Sequence, residues 1–209
     1  MRLDPSRAQQ AALKTGLFVL CLVPFVQLVW RAAANALGAN PVEAVQRSLG
    51  WWTLFLLLAT LAVTPVRRWT GADWLLRLRR MLGLFAFFYA CAHFITYAWL
   101  DVWFDPAAIA KDVIKRPFIT VGFLALVLMV PLAFTSTQAM QRRLGRGWRT
   151  LHRLVYAVAI LGVLHFWWLV KRDVSRPLMF ALVLGLLLGA RAARSRGATK
   201  APQGRESDR

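Results

Sequence analysis

Cysteine is almost absent from this 209-residue chain, which has only Cys21 and Cys91, both inside apolar runs. Neither has the spacing of a zinc or redox motif, so no disulfide framework is implied. The two thiols read as small buried hydrophobes. Acids are scarce too, with 9 Asp and Glu against 27 Lys and Arg. Asp101, Asp105 and Asp112 cluster in one loop beside Lys111, Lys115 and Arg116, a mixed-charge surface suited to docking or to plain solvation. No paired-carboxylate or Ser/His/Asp arrangement occurs, so no substrate chemistry of the chain's own is expected. Histidine is rarest of all, with three residues, and each of them falls in an apolar stretch.

What is abundant is apolar: 58% of the chain is hydrophobic, with 10 Trp and 13 Phe. A bilayer core of about 30 Å needs about 20 helical residues at about 1.5 Å each. Six runs approach that length, at about 15–30, 50–66, 81–100, 117–134, 150–170 and 177–193. Pro65 and Pro117 fall near the ends of these runs, while Pro24 and Pro131 are expected to kink their helices. The expected fold is an all-α integral membrane protein, a six-transmembrane-helix bundle over 1–193. A basic tail, 194–209, is expected to be disordered. No cleavable signal peptide is expected, since the first run ends at Trp30-Arg31 without a small-x-small site, "AAANA" (32–36) being the nearest approach to one.

The net charge of +18 does not point to nucleic acid, because the Lys and Arg sit in short clusters between apolar runs rather than on one face. The larger share lies on the amino-terminal side of the membrane, in 67–80, 142–153 and 191–209. That excess places both termini in the cytoplasm. The chain is therefore expected to be a multi-pass membrane protein.

Polar groups in lipid are costly, so three intramembrane histidines need partners. His93 lies 13 residues beyond Arg80, about 20 Å up its helix, and His165 lies 13 residues beyond His152 on another helix running the same way. His93 and His165 should therefore meet at one depth towards the outer leaflet, as a ready axial pair for a haem iron. Beside His93, the positions Gly83, Ala86, Ala90 and Tyr97 share a mostly small helix face. Such a face suits either a flat ring or close helix packing, and the histidine favours the ring. His152 does not share a face with His165 on an ideal helix, and the position matching it on the His93 helix is Arg80. It can ligate a second haem with an unidentified partner, hydrogen-bond propionates or a flavin, or serve structure. Phe166, Trp167 and Trp168 read as an interfacial aromatic belt. Thr135 and Gln138 stand at capping-box spacing, predicting a short interfacial helix before Gly145. Arg142, Arg143, Arg146 and Arg149 suit either anionic groups or positive-inside anchoring.

The stretch "LAFTSTQAMQRRLGRGWRTLHRLVYAVAILGVLHF" (132–166), and within it "FTSTQAMQR" (134–142), resembles the MsrQ (YedZ) family. These are haem-binding membrane subunits of the periplasmic protein-methionine-sulfoxide reductase system, in the ferric-reductase-like transmembrane superfamily. "RRMLGL" (79–84), "ITVGFL" (119–124) and "LVPFVQLVW" (22–30) carry the same resemblance, which covers about 1–193. It implies haem b ligation by His93, His152 and His165, one haem being clear and a second open because Arg80 replaces a fourth histidine. It also implies FMN, electrons drawn from the quinone pool, and delivery to a periplasmic molybdopterin subunit that reduces methionine sulfoxide in oxidised proteins. A cytochrome-b-type quinol or ferric reductase with another partner is the alternative, and would need a separate flavin/NAD(P)H protein. A haem-free transporter fits less well, since neither a convincing internal repeat nor a charged midplane site stands out.

Overall fold

The computed structural model describes residues 5–170 and 173–199, with side chains to Ala193. Among these residues the protein is helical throughout, and six helices are long and apolar enough to cross a membrane. Helix α1 (Arg7–Ala33) opens on a reciprocal capping box between Ser6 and Gln9, which satisfies backbone donors left free at its first turn. Helix α2 (Pro41–Thr70) starts with proline at its first turn, where no amide is needed, and stops at Gly71 in the left-handed conformation. Helix α3 (Leu76–Thr96) loosens into a π-turn, Tyr97–Asp101. Helix α4 (Pro106–Lys115), capped by Asp105, is short and amphipathic, and α5 (Pro117–Phe134) follows it directly. Two short helices, α6 (Gln138–Leu144) and α7 (Arg146–Leu151), lead into α8 (Leu154–Leu169). The last helix is α9 (Ser175–Thr199).

Two helix pairs form the closest associations, α2 with α3 and α5 with α8. Helix α2 is central and also touches α1, α8 and α9. Its Leu49, Leu54, Leu56, Leu57, Leu58 and Leu61 are all buried. Ala86 of α3, with Val158 and Ala159 of α8, is closed off almost completely, so small side chains let the backbones approach. Tyr89 is fully buried and donates its hydroxyl to the Cys21 carbonyl of α1 at 2.8 Å. That contact gives a costly intramembrane polar group its partner. Outward, α1 and α9 expose Phe18, Val19, Leu20, Leu182 and Leu186, an apolar surface that only lipid would cover.

The six expected spans are all present, though their ends differ. Helix α2 begins nine residues before the predicted run and continues past Pro65, which therefore lies inside it. The run expected at 150–170 is interrupted at His152–Arg153, where the backbone tightens into a turn between α7 and α8. The predicted tail began at 194, whereas α9 runs on to Thr199; the rest of that tail lies outside the described residues, as do Lys171 and Arg172.

Candidate functional site

At the end of the bundle opposite the amino terminus, α2, α3, α4, α5, α8 and the start of α9 enclose a cavity of about 1440 Å³. Its walls are apolar: Leu54, Leu57, Phe123, Leu126, Met129 and Val158 are among them. His93 from α3 and His165 from α8 both project into it. Their ring centroids are 6.2 Å apart with planes at 79°. A metal held between two imidazole nitrogens, with bonds of about 2 Å each, would need the rings at a comparable separation. His93 and His165 thus stand at one level of the bundle, as counting residues along the two helices predicts.

Both rings are oriented in the same way. His93 Nδ1 donates to the backbone carbonyl of Gln46 on α2 at 3.0 Å, and His165 Nδ1 donates to the carbonyl of Phe118 on α5 at 2.7 Å. A carbonyl can only accept, so each Nδ1 carries the proton. The lone pair of the neutral ring is then left on Nε2, the atom not committed to the protein. Metal-ligating histidines are commonly held by a hydrogen bond of this kind from the ring nitrogen that does not meet the metal. Each ring also lies over a glycine: a Cβ on Gly50 would meet His93 at 3.4 Å, and one on Gly122 would meet His165 at 2.7 Å. Sequence reasoning found the histidines but missed Gln46, Phe118, Gly50 and Gly122. Carbonyls carry no sequence signal, and a glycine in an apolar helix reads as packing.

The rim of the cavity is charged. Tyr97 donates its hydroxyl to Asp112 at 2.9 Å, and Asp112 also pairs with Arg116 at 3.3 Å. Glu43 pairs with Arg47, and the Gln46 amide donates to Asp101 at 3.2 Å. Lys111, Asp173 and Arg176 complete the opening.

The small face expected on α3 divides into two parts. Ala90, His93 and Tyr97 line the cavity, whereas Gly83 faces Thr60 of α2 and Ala86 is sealed in the core, so the inner half serves helix packing. The aromatic belt also divides, since Phe166 turns inward against Phe180 while Trp167 and Trp168 stay at least partly exposed.

His152 is not brought to the other two. It stands in the break between α7 and α8, stacked on Trp148 with centroids 4.0 Å apart. Its Nε2 lies 3.1 Å from the Thr135 hydroxyl. That hydroxyl donates its one proton to the Pro131 carbonyl at 2.6 Å, so toward His152 it must accept, and Nε2 carries a proton. Trp148 Nε1 donates to the Thr135 carbonyl at 2.9 Å. The interruption explains why rotation along an ideal helix could not relate His152 to His165. The short helix predicted before Gly145 is present as α6, but its cap is Thr137, which accepts from Met140 N, because Thr135 is engaged with His152. Arg142, Arg143, Arg146 and Arg149 are exposed and lie outside the cavity lining.

A multi-pass helical bundle with two inward imidazoles from separate spans defines a ferric-reductase-like membrane component. The family of ferric reductase like transmembrane components accordingly matches residues 49–163, which include His93 and His152 and end two residues before His165. Beyond that superfamily, the chain belongs to the MsrQ family and is a multi-pass protein of the bacterial inner membrane. It is 52% identical to the protein-methionine-sulfoxide reductase heme-binding subunit MsrQ of Herminiimonas arsenicoxydans, over 90% of this chain and 88% of that one. Identity is 55% to the Ralstonia nicotianae MsrQ, over 86% and 84% of the two chains. For the Bordetella pertussis MsrQ it is 54%, over 90% and 94%. No solved structure matches the chain.

Proposed function

We propose that this chain is the membrane electron-transfer subunit of a periplasmic methionine-sulfoxide repair system, with haem b held between His93 and His165. Haem, when bound, supplies a one-electron iron couple whose potential follows its ligands and surroundings. One observation carries the reading: two imidazoles from different spans face each other 6.2 Å apart, each with its Nδ1 already engaged. Gln46 and Phe118 orient the two rings, so both would present Nε2 to the metal. Leu54, Leu57, Leu126, Met129 and Val158 keep water from the pocket and lower its dielectric, which tunes a buried redox centre. Arg47, Lys111, Arg116 and Arg176 ring the opening, where porphyrin carboxylates would find cations.

The excess of basic residues orients the bundle with both termini in the cytoplasm, so the cavity opens towards the periplasm. That placement gives a short path to a soluble periplasmic acceptor, the molybdopterin-containing reductase subunit that the family resemblance implies. Electrons would be drawn from the quinone pool. His152 stands apart from the pair, and the resemblance extends haem ligation to it; with Nε2 protonated towards Thr135, Nδ1 is the atom it can offer. FMN is implied by the resemblance alone. The four interfacial arginines lie away from the cavity, and no flavin contact is assigned to them.

Membranes containing the protein should show a reducible b-type cytochrome spectrum. His93→Ala and His165→Ala should each remove most of it, and a spectrum that survives both changes overturns the assignment. Co-purification of a periplasmic molybdoprotein tests the partner separately.

A further inference from the structure

The two histidines are held by two copies of one device. Each accepting carbonyl lies 47 positions before its histidine. Each ring also covers the glycine one helical turn after that carbonyl, Gly50 following Gln46 and Gly122 following Phe118. A single constant offset along the chain carries Gln46, Gly50 and His93 onto Phe118, Gly122 and His165. The same offset carries Leu54 onto Leu126, Leu57 onto Met129, Ala90 onto Gly162 and Phe94 onto Phe166, and all eight line the cavity. It also superposes the buried Ala86 on the buried Val158. The closest helix pairs, α2 with α3 and α5 with α8, are thus equivalent halves around one site.

We propose that Gly50 and Gly122 are the positioning residues of this imidazole pair, each leaving the hollow that sets how far its ring stands from the neighbouring helix. The inference rests on the reading of His93 and His165 as haem ligands. Glycine in a membrane helix ordinarily lets another helix approach. Gly83 and Gly162 serve that purpose, with a Thr60 methyl at 3.7 Å and a Leu54 methyl at 3.3 Å from where a Cβ would stand. At Gly50 and Gly122, by contrast, the three nearest atoms are all imidazole atoms. For Gly122 they lie at 2.7, 2.8 and 3.1 Å, so a methyl group would occupy the space of the ring itself. The ring can yield only by giving up its Nδ1 bond to Phe118, on the same helix as Gly122. Gly50 is looser, with the His93 ring at 3.4 to 3.9 Å. Extra carbon therefore moves His165 and only brushes His93.

The test compares Gly122→Ala, Gly50→Ala and Gly83→Ala in the full-length protein in membranes; Gly83 lies outside the cavity lining and has only Thr60 near its Cβ position, at 3.7 Å. The readouts are the reduced-minus-oxidised spectrum and the low-spin ferric EPR signal, which report ligation rather than turnover. Gly122→Ala should lose at least about tenfold of the bis-histidine signal, from strain of the size that overpacking brings. Gly50→Ala should retain most of the signal with altered EPR g-values, and Gly83→Ala should match the parent. A parent-like spectrum from Gly122→Ala, or an equal loss from Gly83→Ala, overturns the inference. If Gly122→Ala fails to accumulate, His165→Gly is added to it. Recovery of the protein then identifies the ring as what the methyl strikes, whereas continued failure assigns the fault to helix packing and overturns the inference. A parent protein without any haem signal would instead defeat the functional reading on which the inference rests.

Discussion

Replacing His165 by glycine removes the ring but leaves its hollow, the Phe118 carbonyl and the cavity in place. Imidazole added to membranes carrying His165→Gly should enter that hollow and restore the cytochrome spectrum. The native bond shows what the added ring must reproduce: an N–H donated to the Phe118 carbonyl at 2.7 Å, with the other nitrogen turned inward. A buried hydrogen bond of this kind is worth roughly 1 to 1.5 kcal/mol net. 1-Methylimidazole offers the same ligating nitrogen without the donor, so it should need about 5 to 13 times the concentration for half-recovery. The methyl group adds to the difference, since it would be thrust against the same carbonyl. Both probes are titrated into one variant, so the helix cost of the new glycine cancels. The assay is recovery of the reduced α-band against probe concentration. The corresponding ratio for His93→Gly should be smaller, because the Gln46 bond is longer at 3.0 Å and Gly50 leaves more space. Equal half-recovery by the two probes in His165→Gly refutes the claim that the carbonyl orients the ligand.

Two further changes separate stability from ligation. Thr135→Val keeps shape but strands the His152 Nε2–H and the relay to Pro131. It should cost about 1 kcal/mol, or about 2 to 4 °C of Tm in detergent, and leave the His93–His165 signal intact. Tyr89→Phe removes the bond to the Cys21 carbonyl, which keeps its own helical donor. Thermal unfolding should again show a loss of about 1 kcal/mol, and an altered spectrum would contradict the separation of this contact from the site.

The spans were legible in the sequence because lipid demands an uninterrupted apolar length, and the depth of His93 and His165 because rise per residue is constant. Helix ends were not, since hydropathy reads the lipid core and not the helix. Residues 41–49 are too polar to count as a span, yet they form the first turns of α2, whose Gln46 holds His93. The break at His152 was hidden as well, because nothing in the apolar run "TLHRLVYAV" (150–158) marks a stop. Thr135 misled for a related reason. Its spacing to Gln138 suits a cap, but its hydroxyl had a half-buried partner farther along the chain, and the tertiary contact prevailed. The duplication was missed because its matched residues sit singly on four helices, never in a run of identical residues that a repeat would show.

That duplication also explains where the two halves part. Around the two histidines they agree, as the proposed placement of one metal between two equivalent rings would require. Inward along the same offset, Arg80 falls opposite His152, and no matched pair of imidazoles can form there. Outward, Gln46 differs from its counterpart Phe118 in carrying an amide, which binds Asp101 in the π-turn after α3. The carbonyl that orients His93 therefore belongs to a residue tied to the exposed rim, whereas the one that orients His165 is flanked by an aromatic ring at 6.3 Å from its imidazole. Contact at Asp101 therefore bears on one imidazole of the pair and leaves the other anchored to α5.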